Sequence, residues 1–187
     1  MARLVPVAVL AIAALSLTAC HQAPTPPRAP RLPLQERDFL GIVAGAQVMA
    51  QGVKNQIRLA EIKGDKTHAV CALLKSPDVH GWIGHVQEIH TSLLGDGVVT
   101  LKLAQGVQVA TWNNGISDFG DHTMIPKGSP LFNSLATLSI GQQVKFSGAF
   151  APSDGCPQEQ NFSTMGGLEH PVYVFRFTSI KADSPGG

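Results

Sequence analysis

Charge and aromatic side chains are both scarce in this sequence: Asp, Glu, Lys and Arg make up 14% of its 187 residues, and Phe, Trp and Tyr 6%. So little charge argues against a coiled coil and against an acidic or basic tail protein. Neither sign prevails, with 14 Lys and Arg against 13 Asp and Glu. Binding to nucleic acid through phosphates needs a basic excess, so that partner has no electrostatic support. No GxSxG, Walker, HExxH or GxGxxG pattern occurs, which removes the commonest sequence signals for a nucleophile elbow, a phosphate loop, a zinc protease and a dinucleotide site. No run of about 20 apolar residues, the length a membrane-spanning helix needs, is present either. What remains is a hydrophobic fraction of 44%, enough for a core, and a length suited to one domain.

The first 20 residues stand apart. Met1-Ala2-Arg3 is followed by an apolar run, Leu4 to Leu17, interrupted only by Pro6 and Ser16. A run of this length reads as a signal-peptide core. Leu17-Thr18-Ala19-Cys20 then resembles the lipobox of bacterial lipoproteins, in which the Cys becomes the lipid-modified first residue. An ordinary signal peptide cut at a small residue, or a core helix, is the other reading. The resemblance implies lipidation of Cys20, and His21 in place of an Asp after it implies the outer membrane; the domain is expected to face the periplasm. Cleavage removes one base, Arg3, and no acid, which leaves 13 charges of each sign.

Residues 21–35 contain five prolines and no glycine. That composition favours extended polyproline II, reaching up to about 45 Å at ~3.1 Å per residue, and makes 20–37 a tether. From Asp38 the pattern becomes helical, with Phe39, Ile42, Ala46, Met49, Val53, Ile57 and Ala60 on one stripe. Gly64-Asp65 is the expected break, and Thr67 to Leu74 a second piece. After Pro77 the period turns to strands at 81–90, 98–103 and 107–112, a short helix opened by Ser129-Pro130, then strands at 143–150 and 172–180. The expected fold is therefore a β-rich α+β domain: an N-terminal amphipathic helix over 38–76 packed on a five-stranded barrel over 77–181, with the short helix between strands three and four and a tail at 182–187. This order resembles that of OB-folds; an SH3-like barrel or an open sandwich is the alternative.

From about Phe39 to Ile180 the chain also resembles a functionally uncharacterised bacterial envelope or mobile-element domain. The resemblance rests on Trp82-x-Gly84, Thr111-Trp112-Asn113-Asn114, Ser117-Asp118, Asp121, Thr123, Ile125, Phe146-Ser147-Gly148 and Phe175-Arg176-Phe177. It implies a coherent domain and no particular activity.

With Cys20 taken by lipid, Cys71 and Cys156 form a candidate structural disulfide in an oxidising compartment. A Cys71–His68 nucleophile fits poorly with the apolar setting Ala-Val-Cys-Ala-Leu-Leu. His80, His85 and His90 lie too far apart along a strand to share one metal ion, and His85 points to the opposite face. The loop Asn113 to His122 lacks the D-x-D-x-D-G spacing of a calcium loop, and side chains that bond its own backbone are the plainer reading. Trp112, facing outward beside Lys102, is the candidate ligand platform, with Asp118 and Asp121 nearby; a helix packed across Trp112 is the alternative. No cofactor or metal is expected. These residues point to a non-catalytic binding or assembly module that contacts a protein or glycan of the envelope. The alternatives are an enzyme on cell-wall or surface polymers using Asp118, Asp121 or His122, and a nucleic-acid-binding accessory of plasmid transfer or phage interaction.

Overall fold

A computed structural model describes residues 31–183. The leader, Cys20 and the tether up to residue 30 lie outside the described residues, as do residues 184–187.

Helix α1, Leu34–Ala50, begins directly after Pro33, four residues into the stretch expected to be tether. Its buried face is Glu36, Phe39, Leu40, Val43, Ala46 and Ala50. Met49, expected on that face, is half exposed, and Ile57 is largely exposed. The break falls at 51–55 rather than at Gly64-Asp65, because Gly52 takes φ +74° there, a conformation that favours glycine. Asn55 then caps α2, Gln56–Leu73, its side chain accepting from the N–H groups of Ile57 and Arg58. The helix runs straight through Gly64. Glycine costs about 1 kcal/mol there, whereas burying each of Leu59, Ile62 and Val70 contributes about 1.5–3 kcal/mol.

Five strands close a barrel: β1 Asp78–Thr91, β2 Gly97–Lys102, β3 Gln108–Ala110, β4 Gln143–Phe150 and β7 Val172–Ala182, in the order β1-β2-β3-β7-β4 and back to β1. All neighbours are antiparallel except β3 and β7, which are parallel. β7 extends to Ala182, the first residue of the expected tail. Helix α3, Pro130–Leu135, has Ser129 as its cap and Pro130 at its first position, as read from the sequence. Between β4 and β7 lie a small hairpin, β5 Pro152–Ser153 and β6 Cys156–Pro157, and helix α4, Thr164–Glu169. Two glycines within Thr-Met-Gly-Gly-Leu-Glu hide α4 from a propensity argument, although Ser163 caps it.

The barrel interior is aromatic and aliphatic. Trp82, Phe146, Phe150, Tyr173 and Phe175 are fully buried with Val99, Leu101 and Val109. Gly148 is required inside: a Cβ there would collide with the Arg176 carbonyl and lie 2.6 Å from the Phe175 ring. Phe39 from α1 enters one mouth and meets Trp82, Phe150 and Tyr173 at ring separations of 5.2, 5.7 and 5.2 Å. Leu135 joins the core from α3 at the other mouth, with Ile125 and Phe132 close by. The barrel thus has a helical end, holding α1, α2 and α4, and a loop end, holding α3, the β1–β2 turn and residues 111–129. A disulfide links Cys71 of α2 to Cys156 of β6, with Cα atoms 5.0 Å apart.

Candidate functional site

At the loop end, the chain leaving β3 folds back on itself. The Trp112 N–H donates to Thr123 Oγ1 at 2.8 Å, and the Trp112 indole N–H donates to Asp121 Oδ2 at 2.8 Å. Asp118 is buried. Its Oδ1 accepts from the Thr123 N–H at 2.6 Å and the Thr123 hydroxyl at 2.7 Å, and its Oδ2 from the Met124 N–H at 3.2 Å. Asn114 Oδ1 accepts from the N–H groups of Ile116 and Ser117, an Asx-turn that fixes the first half of the loop. A carboxylate wrapped in donors, as Asp118 is, has its lone pairs committed and is poorly placed to ligate calcium, which needs them free.

Asp118, Asp121 and Trp112 are therefore together, and they hold one another and the loop. Lys102 is not with them. The register pairs Lys102 with Gln108 and Thr100 with Ala110, so Trp112 lies four residues further along, about 13 Å away at ~3.3 Å per residue. Trp112 is half-buried, and α1 does not cover it, since that helix packs at the other end of the barrel. The loop instead presents two apolar side chains to solvent: Ile116 is 92% exposed and Phe119 90%. Leu93 and Leu94 are exposed in the β1–β2 turn. That turn is stitched to the same loop, by the Gly97–Ile125 bridge and by the Lys127 N–H donating to Asp96. His122 is exposed in the loop, with φ +48°. His80, His85 and His90 are exposed along β1 and come no closer together than their strand spacing allows.

The helical end holds ionisable groups that the periodic stripe passed over. Glu36 is completely buried. β2 ends opposite His85, so Ile83 lies beyond its reach, and Glu36 Oε2 accepts the Ile83 N–H at 2.9 Å. Burial raises this carboxyl to about 7, and the Ile83 N–H opposes the rise. Lys66, also buried, donates from Nζ to Glu159 Oε1 and to the Gly167 carbonyl, both at 2.6 Å, and lies 5.6 Å from the Tyr173 ring centre. Burial lowers the Lys66 ammonium and Glu159 opposes this; burial, with Glu159 adding to it, raises the Tyr173 phenol well above its ordinary range. A signal for both was present: Glu36 precedes Phe39 by three residues and Lys66 follows Ile62 by four, so each falls on the inward face of its helix.

An open groove of about 720 Å³ lies between the end of α1, the 51–55 turn and α4, with Val48, Ala50, Val53, Met165 and Leu168 as its apolar lining. The Gln47 amide donates to the carbonyls of Gln105 and Glu169 and fixes α1 against α4. Val48 at its edge is 70% exposed, the next residue, Met49, is 52% exposed, and Ile57, across the turn, is 74% exposed. The chain matches no protein-family model, no curated protein and no solved structure.

Proposed function

We propose that the chain is a lipid-anchored outer-membrane lipoprotein whose OB-like barrel is a non-catalytic binding module, displaying its loop end to a protein partner in the envelope. The OB-like reading draws support from the strand order, the parallel pairing of β3 with β7 and the helix between the third and fourth barrel strands. The anchor rests on the lipobox at Leu17-Thr18-Ala19-Cys20. The observation that carries the binding role is the loop of 112–124, whose polar side chains bond inward while Ile116 and Phe119 face solvent. Holding two large apolar groups out on a stiffened loop costs solvation, and contact with an apolar surface recovers it. A protein surface suits Ile116 and Phe119 better than a glycan, because Trp112, the stacking candidate, is half-buried and held in the loop by its bond to Asp121. Asp118 and Asp121 are occupied in the same bonds, which speaks against their use as a hydrolytic pair.

The test is site-specific photo-crosslinking in cells from position 119, with position 178 on the exposed side of β7 as control. A discrete protein adduct from position 119 alone, lost in Ile116→Ser, supports the reading. Adducts of equal yield from both positions, or a polysaccharide smear, would overturn it. Intact-mass measurement of the mature protein tests the anchor, which requires a diacylglyceryl group on Cys20.

A further inference from the structure

The elbow between α1 and α2 leaves apolar surface open where a water-facing helix turn would be polar. Val48, Met49 and Ile57 are exposed around it, and the groove beneath is lined by Val53, Met165 and Leu168. Its charges are mixed. Lys54 is at the groove edge, Arg58 is tied to Glu61 at 2.9 Å, and Glu169 and His170 form the far wall. An elbow of this kind, apolar at its tip with charges of both signs on its shoulders, suits the boundary between lipid headgroups and acyl chains through its apolar side chains.

Chain length argues for that occupant. Leu34 is 14 residues from Cys20, a span of at most about 43 Å at ~3.1 Å per residue. Helix α1, with 17 residues, is about 25 Å long at ~1.5 Å per residue. A lipid on Cys20 therefore has the reach to pass the full length of α1 and bring the elbow onto the bilayer. We propose that the α1–α2 elbow is a membrane-contact face, with Val48, Met49 and Ile57 seated in the lipid surface to which Cys20 is anchored. This inference rests on the anchor proposed above. Seating the helical end on lipid turns the opposite, loop end of the barrel away from it.

The experiment places a tryptophan at position 48 (Val48→Trp) and, separately, at 57 or 116, in the full mature protein. Each variant is mixed or reconstituted with vesicles of phosphatidylethanolamine and phosphatidylglycerol, with and without bromine on the acyl chains. Trp82 and Trp112 supply a constant background. The expected result is a blue shift and a loss of about half the added emission for positions 48 and 57, with none for 116. No quenching at 48 and 57, or equal quenching at 116, would overturn the inference. A blue shift that needs no vesicles and accompanies dimer formation would also overturn it, in favour of a second copy. If intact mass shows Cys20 unmodified, the anchor fails separately, and the same reporters with added vesicles still decide whether the elbow binds lipid.

Discussion

Glu36 is a carboxyl group with no exposure and one hydrogen bond to a strand N–H. In the folded chain it keeps its proton up to about 7, against 4.5 when free. Between those values the native state holds a proton that the unfolded chain has released, so the stability present at low pH is lost as pH rises through 7. The loss amounts to about 3 kcal/mol. Glu36→Gln keeps the acceptor for Ile83 and removes the titration. Urea unfolding at pH 5 and pH 8 should show the wild type falling relative to Glu36→Gln; parallel behaviour would contradict the buried-acid account. Apolar periodicity located Phe39 and its spacing carries Glu36 and Lys66 onto the inward faces, but a charged residue at an inward position reads as an interruption until its partner is known. Lys66 finds its partner 93 residues away at Glu159, a distance that no local pattern spans.

The loop between β3 and α3 and the turn between the two long helices show how elements are fixed by few groups. Asp118→Ala removes the acceptor shared by Thr123 and Met124 and should cost about 2–4 kcal/mol, since bonds to a charged acceptor contribute about 1.5–3 kcal/mol each. Amide exchange at Thr123 and Met124 should accelerate, and unchanged protection there would show that other contacts hold the loop. The self-bonding character of 113–122 was legible from its Asn, Ser and Asp content. The separation of Trp112 from Lys102 was not, because the register that sets Lys102 opposite Gln108 is fixed by pairing across the turn and not by residue type. The helix break was misplaced for a similar reason. Gly52 and Gly64 are the same residue type, and only Leu59, Ile62, Lys66 and Val70 on one buried face decide that the second is helical.

At the scale of the molecule, the succession of barrel strands along the chain, the position of α3 and the cysteine pair were all legible, because each rests on period, capping or elimination within a short list. The packing of two helices and α4 across one mouth was not, as it depends on contacts between 34–74 and 151–171. Those two segments are joined by Cys71–Cys156 across a sequence separation of 85. Replacing both cysteines by serine should lower stability by about 4 kcal/mol, read as a shift of the urea midpoint; a shift under a quarter of that would mean the unfolded chain is already compact.

That same bond makes residues 71–156 a covalent ring holding four of the five barrel strands, with α1 and β7 on its two tails. A protease cut at Phe119, on the exposed loop, opens the ring without dividing the molecule. Nicked protein should therefore run as a single species without reductant and as two fragments with it. A chain cut there still has every strand tethered to its neighbours, so the module tolerates damage at the tip it offers to others.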